Sequence, residues 1–137
     1  MSRFRIILAG LVAVSSAAVV LAVSSAVLGS DRRVSAEEQA RAVASELFQT
    51  INDRRYARTC ALLSAEYYRR NRVPDRRACA LGLRIGFLWS NEIRFRVTGV
   101  SVEGDRAVVR ALADGIPGSV LLVREGGRFK VLALESG

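Results

Sequence analysis

Histidine is absent from this 137-residue chain, lysine occurs once and cysteine twice. Each scarcity excludes something. Without an imidazole there is no Ser–His–Asp triad, no histidine general base and no histidine metal ligand. Two cysteines cannot by themselves fill a structural zinc site, which takes four ligands. Cys60 and Cys79 do not form a Cys-x-x-Cys redox motif. A cysteine nucleophile would lack its usual histidine partner. Acidic residues are missing from positions 1–30, where Arg3 and Arg5 are the only charges. No internal repeat is visible after residue 30.

What is present begins with an apolar run. "IILAGLVAVSSAAVVLAVSSAVLGS", Ile6 to Ser30, carries no charge. As a helix it would extend about 37 Å, enough to cross a hydrocarbon core of about 30 Å. A secretory signal has a shorter apolar core, of about 7–15 residues. Length therefore favours a retained anchor through residues 6–29. The alternative is a signal peptide, because Ser24-Ser25-Ala26 has the small-x-small form that a signal peptidase reads. Arg3 and Arg5 favour a cytoplasmic N-terminus, which places the remainder outside the cytoplasm, in the membrane-bound or the secreted form. The organisation read from the sequence is an anchor or signal at 1–30, a linker at 31–35 and a domain at 36–137.

The chain is strongly basic, with a formal charge of +8 from 21 basic and 13 acidic residues. All the basic residues but Lys130 are arginine. A positive surface favours anionic partners such as acidic lipid headgroups or an acidic protein. Nucleic acid is not expected, because the aromatic residues do not interleave with the arginines as a stacking platform requires.

Within the domain, Ser35 and Glu38 form a capping box. Ala36, Ala40, Val43, Ala44, Leu47, Phe48 and Ile51 follow at helical spacing, predicting an amphipathic helix to about Asn52. Asp53 is placed to cap a second helix through "RRYARTCALLS", with Tyr56, Thr59, Cys60 and Leu63 on its apolar face. Ser64 to Pro74 reads as a polar turn. A third helix over about 75–89 starts at Asp75 and presents Ala78, Leu81, Ile85, Leu88 and Trp89 as its apolar face. Gly82 and Gly86 lie one turn apart on it, which predicts the close approach of another backbone.

After Trp89 the period changes from 3.6 to 2. Ile93, Phe95 and Val97 alternate with Arg94 and Arg96, and Gly99 marks a bulge, because Val100 and Val102 fall out of that register. Strands follow at 106–112, 119–125 and 128–135, separated by turns at "EGD" and "GG" and a loop at 114–118. Helices first and an antiparallel meander second predict an α+β domain, about three helices packed on one sheet.

With catalysis and zinc set aside, the cysteines are left as a disulfide or as two buried thiols. A domain outside the cytoplasm favours the disulfide Cys60–Cys79. In the chain-entropy argument, closing a loop of about 20 residues contributes roughly 3 kcal/mol.

The first helix with "ARAVASELFQTINDRRYARTCALLS", a second cysteine after a short basic loop, and a C-terminal antiparallel sheet resemble small bacterial members of the nuclear-transport-factor-two-like (SnoaL-like, cystatin-like) superfamily. The resemblance covers about Val34 to Glu135. It implies a curved sheet wrapped around the long helix as a cone with an apolar pocket. Enzymes of the superfamily place Asp, His or Tyr in that pocket. Many members are non-catalytic, and several form the extracytoplasmic domain of single-pass proteins in membrane assemblies.

The chain so read is a non-enzymatic extracytoplasmic domain of a single-pass or secreted protein, binding a protein partner, a lipid or a small ligand. It needs no cofactor and no metal. The alternative is a SnoaL-like isomerase or dehydratase using Asp53, Tyr56 or Glu92 as acid–base groups. The bland reading of Asp53 is a helix cap, and that of Tyr56, Tyr67, Tyr68, Phe87 and Trp89 is core filling. For anionic partners the candidates are Arg69, Arg70, Arg72, Arg76 and Arg77, within a larger group that includes Arg54, Arg55 and Arg58. Their bland reading is a solvated face.

Overall fold

The computed structural model describes residues 34–137. The anchor expected through residues 6–29 lies outside the described residues. Among the described residues no helix is long and apolar enough to cross a membrane. Four helices precede four strands: α1 (Ala36–Asn52), α2 (Tyr56–Ala61), α3 (Ala65–Arg70) and α4 (Arg76–Gly86), then β1 (Phe95–Glu103), β2 (Arg106–Ala113), β3 (Ile116–Glu125) and β4 (Arg128–Ser136). The strands form one antiparallel sheet in the order β1-β2-β3-β4. The architecture is the α+β arrangement predicted, with one helix more.

α1 organises the core. The Ser35 hydroxyl accepts from the Glu38 amide at 3.2 Å, and Glu37 and Glu38 sit at the positive end of the helix dipole. Ala40, Ala44, Leu47 and Ile51 are buried along one stripe. They share a core with Ala107 and Val109 of β2, Val120 and Leu122 of β3, and Phe129 and Val131 of β4. The two alanines leave room for the sheet to come close, and Leu47 fills the space beyond them.

The sheet closes by short turns. Asp114 and Gly115 both have positive φ (52° and 78°), as do Gly126 and Gly127 (61° and 78°), which a type I′ hairpin turn requires. The loop expected at 114–118 is therefore two residues long. Pro117 is the second residue of β3, at the start of the strand where a missing N–H is tolerated. The bulge expected near Gly99 is present: the register shifts between Val97 and Gly99, so Phe95, Val97, Val100 and Val102 all pack against the core. A second shift falls between Leu121 and Leu122 of β3, opposite Ala133 and Val131. It leaves Leu132 unpaired and buries both Val131 and Leu132.

The helical half departs from expectation in three places. Ser64 to Pro74 is not a plain turn but holds α3, capped by the Ser64 hydroxyl, which accepts from the Tyr67 amide at 3.0 Å. Glu66 and Arg70 brace it one turn apart at 2.6 Å. Asp53 does not cap α2. It ends α1, its amide bonded to the Gln49 carbonyl and the following Arg54 amide to the Ile51 carbonyl, and α2 starts from Arg55 without a side-chain cap. The third departure is the face of α4, whose one buried residue is Cys79. Leu81, Ile85, Leu88 and Trp89, predicted to be its core face, are 57%, 66%, 49% and 92% exposed. A Cβ at Gly82 or Gly86 would meet nothing within 4 Å, so no backbone among the described residues approaches that pair.

Two polar clamps hold the helices to their neighbours. The Thr59 hydroxyl donates to the Thr50 hydroxyl at 2.8 Å, which donates to the Leu47 carbonyl at 3.0 Å. Both threonines are buried, and the relay ties α1 to α2 without an unsatisfied group. Asn52 at the end of α1 takes both backbone groups of Ile93, its amide donating to the carbonyl at 2.9 Å and its oxygen accepting the N–H at 2.8 Å. That side chain stands in for a strand neighbour and fixes where the chain enters β1.

Candidate functional site

Cys60 and Cys79 form a disulfide, with Cα atoms 6.1 Å apart. It joins α2 to α4, and α3 lies in the loop it closes. On the other side, the segment between α2 and α3 adds a short parallel bridge to β4. The Val131 amide donates to the Leu62 carbonyl and the Ser64 amide to the Val131 carbonyl, each at 2.8 Å. Tyr68 of α3 completes the local network by donating its hydroxyl to the Cys60 carbonyl at 2.7 Å.

Burial holds the Tyr68 hydroxyl above its usual pKa of 10.0, against the opposing pull of Arg76. Its folded pKa is raised, so the stability it contributes is complete below pH 10.0 and is lost as pH rises through the folded value. Tyr68→Phe is expected to lose about 1 kcal/mol near neutrality, the net worth of a hydrogen bond. It should also flatten the fall in stability above pH 10.0. Urea unfolding of both proteins on either side of that pH checks this, and an unchanged alkaline slope would contradict it.

Three of the recesses among the described residues bear on the predicted sites. The first lies at the end of the sheet carrying the Asp114–Gly115 turn. It has a volume of about 400 Å³, and Phe48, Phe95, Ala111, Ile116, Val120 and Leu134 are among the side chains lining it. The stacked rings of Phe48 and Phe95, 4.2 Å between centroids, form part of its wall. The size falls in the usual range for small-molecule sites.

The second recess, of about 80 Å³, is lined by Tyr56 and Glu92 together with Arg54 and the Ser90–Asn91 turn. It brings together two of the three acid–base candidates, but its volume is far below what an organic substrate occupies. Asp53 does not line it. Asp53 and Glu92 are both exposed. The buried polar residues among those described are Thr50, Thr59 and Ser64, none of them a carboxylate. Nor do three or more carboxylates or cysteines converge as a metal ion would need, among the described residues.

The third recess, of about 520 Å³, runs between the start of α2 and α4. Arg54, Arg55, Arg77 and Arg84 line it beside Leu81. The structure thus divides the predicted arginine set. Arg69 and Arg70 end α3, and Arg70 is paired with Glu66. Arg72 follows with a left-handed φ of 53°. Arg76 faces a different depression, with Tyr68 and Glu125. Of the five, Arg77 alone reaches the arginine-lined groove. Arg84 was hidden from sequence reasoning because it stands apart from the cluster. Helical spacing, i+7 from Arg77, was the signal that could have found it.

No protein-family model matches the sequence, and no curated protein matches it.

Proposed function

We propose that residues 36–137 are a non-enzymatic binding domain of the nuclear-transport-factor-two-like kind, carried outside the cytoplasm by residues 6–29 or released after their cleavage. In this reading the sheet curves round α1 as a cone, and the apolar recess at its end is the mouth that takes a small ligand or a partner's side chain. The observation that carries it is that recess, apolar, flanked by a stacked phenylalanine pair and of ligand size. The disulfide supports the compartment, since such bonds persist in oxidising surroundings. The exposure of Asp53 and Glu92 weighs against the isomerase alternative, which needs a carboxylate facing an apolar pocket.

An uncharged naphthylamine dye tests the recess. The dye is expected to bind and brighten, and Ala113→Trp, at a β2 residue that also lines the recess, should fill it and weaken binding about tenfold. Equal binding by the variant would remove the recess from the reading. In intact cells, a thiol reagent should label neither Cys60 nor Cys79 before reduction. Labelling of both would put the domain in a reducing compartment.

A further inference from the structure

The side of α4 that the sequence predicts to be core is instead a row of exposed apolar side chains: Leu81, Ile85, Leu88 and Trp89. Leu81 and Ile85 lie one turn apart on α4, and Leu88 and Trp89 follow in the turn that leaves it. Trp89 is the chain's one tryptophan, and it is 92% exposed. A cluster of this kind marks an interaction surface rather than a scattered residue. The glycines beside the row, Gly82 and Gly86, have open space around them and keep that side of the helix low.

Charge says what covers it. The arginine-lined groove of about 520 Å³ opens alongside Leu81, and Arg77 and Arg84 of α4 and Arg54 and Arg55 before α2 line it. α4 itself contains no acidic residue. None of these four arginines is in an ion pair among the described residues. Arginines beside a row of leucine, isoleucine and an exposed tryptophan are the composition of a helix that lies in a membrane interface. Tryptophan there prefers the headgroup level, and each nearby arginine gains from acidic lipid. A second copy of the same face would instead set arginine against arginine. The chain also carries, five residues before α1, an uncharged run long enough to enter a bilayer.

We propose that α4 lies on the surface of an anionic bilayer, with Leu81, Ile85, Leu88 and Trp89 entering the headgroup layer and Arg54, Arg55, Arg77 and Arg84 holding lipid phosphate in the groove beside them. The proposal names the partner class within the membrane reading above and rests on it in part.

Trp89 is its own reporter. The full chain is reconstituted in vesicles of phosphatidylcholine, with or without one part in three phosphatidylglycerol, each also made with brominated acyl chains. Flotation shows whether the chain is bound, and Trp89 emission shows where α4 lies. The expected result is a shift to shorter wavelength with bromine quenching in the anionic vesicles only. Arg77→Gln with Arg84→Gln should lower the quenched fraction by about an order of magnitude at low salt, since each charge contributes several-fold near such a surface.

A chain that floats with both vesicle types but shows no anionic-dependent shift keeps the anchor and overturns the α4 surface. One that floats only with anionic vesicles, Trp89 shifted, keeps the α4 surface and removes the anchor. An emission shift that depends on protein density and not on lipid charge assigns the row to a second copy and overturns the proposal.

Discussion

Replacing Cys60 and Cys79 together by alanine is expected to lower stability by about 3 kcal/mol and the melting temperature by roughly 10–20 °C. The two cysteines are 19 residues apart in sequence, and releasing that loop restores freedom to the unfolded chain. The native side adds to the loss. Cys79 is the one buried residue of α4, and Ala80, Leu83 and Phe87 are only partly covered. Without the bond, α4 is held mainly by these partly covered side chains, because its row of exposed side chains adds little packing. The damage should therefore concentrate in α4. Hydrogen exchange of the variant should show amides of residues 76–86 exchanging well before those of α1 and the sheet. Uniform loss of protection across the domain would mean that α4 and the sheet form one cooperative unit, and that the disulfide does not act locally.

A second large effect is expected at Leu47. Its side chain is 2% exposed and sits where α1 meets the sheet. Leu47→Ala should cost roughly 3 kcal/mol, the transfer term plus a cavity that β2, β3 and β4 cannot collapse to fill. Leu81→Ala removes the same atoms from a side chain that is 57% exposed. Its cost should stay within about 0.5 kcal/mol, as for other surface changes. Chemical denaturation of the two variants side by side makes the comparison. Comparable losses would show that α4 is covered in the folded domain, against both the described exposure and the surface assigned to it.

The same pair of leucines shows how far the sequence could be read. Periodicity located α1 and all four strands, because each has one face against the core and one against water. It also located α4 but turned it the wrong way. An apolar stripe that the folded domain leaves exposed looks identical in sequence to one that it buries. α3 was missed although Ser64, Glu66 and Arg70 carry its capping and pairing signals. It is one and a half turns long, and its polar composition resembles a turn. The role of Asp53 was misjudged because an Asp before a helical pattern is ordinarily an N-cap. Here α1 ends at that residue, and Arg54 with φ 58° separates the two helices. The disulfide was legible by elimination. The Asn52 clamp on Ile93 and the Thr50–Thr59 relay were not, because each joins residues whose nearness only the tertiary fold creates.

A four-stranded sheet ordinarily leaves two rows of unpaired backbone groups, each a template on which another chain can add a strand and begin to aggregate. The bridge from Leu62 and Ser64 to Val131 occupies β4 from its outer side at mid-strand, and Lys130 next to it donates to the Ala61 carbonyl. β1, at the other edge, is bent by the bulge at Thr98 and carries Arg96. The edges are blunted by unlike means, one by the chain's own backbone and one by shape and charge. The short crossing between α2 and α3 thus guards the sheet against adding strands from its neighbours as well as fastening the helices to it.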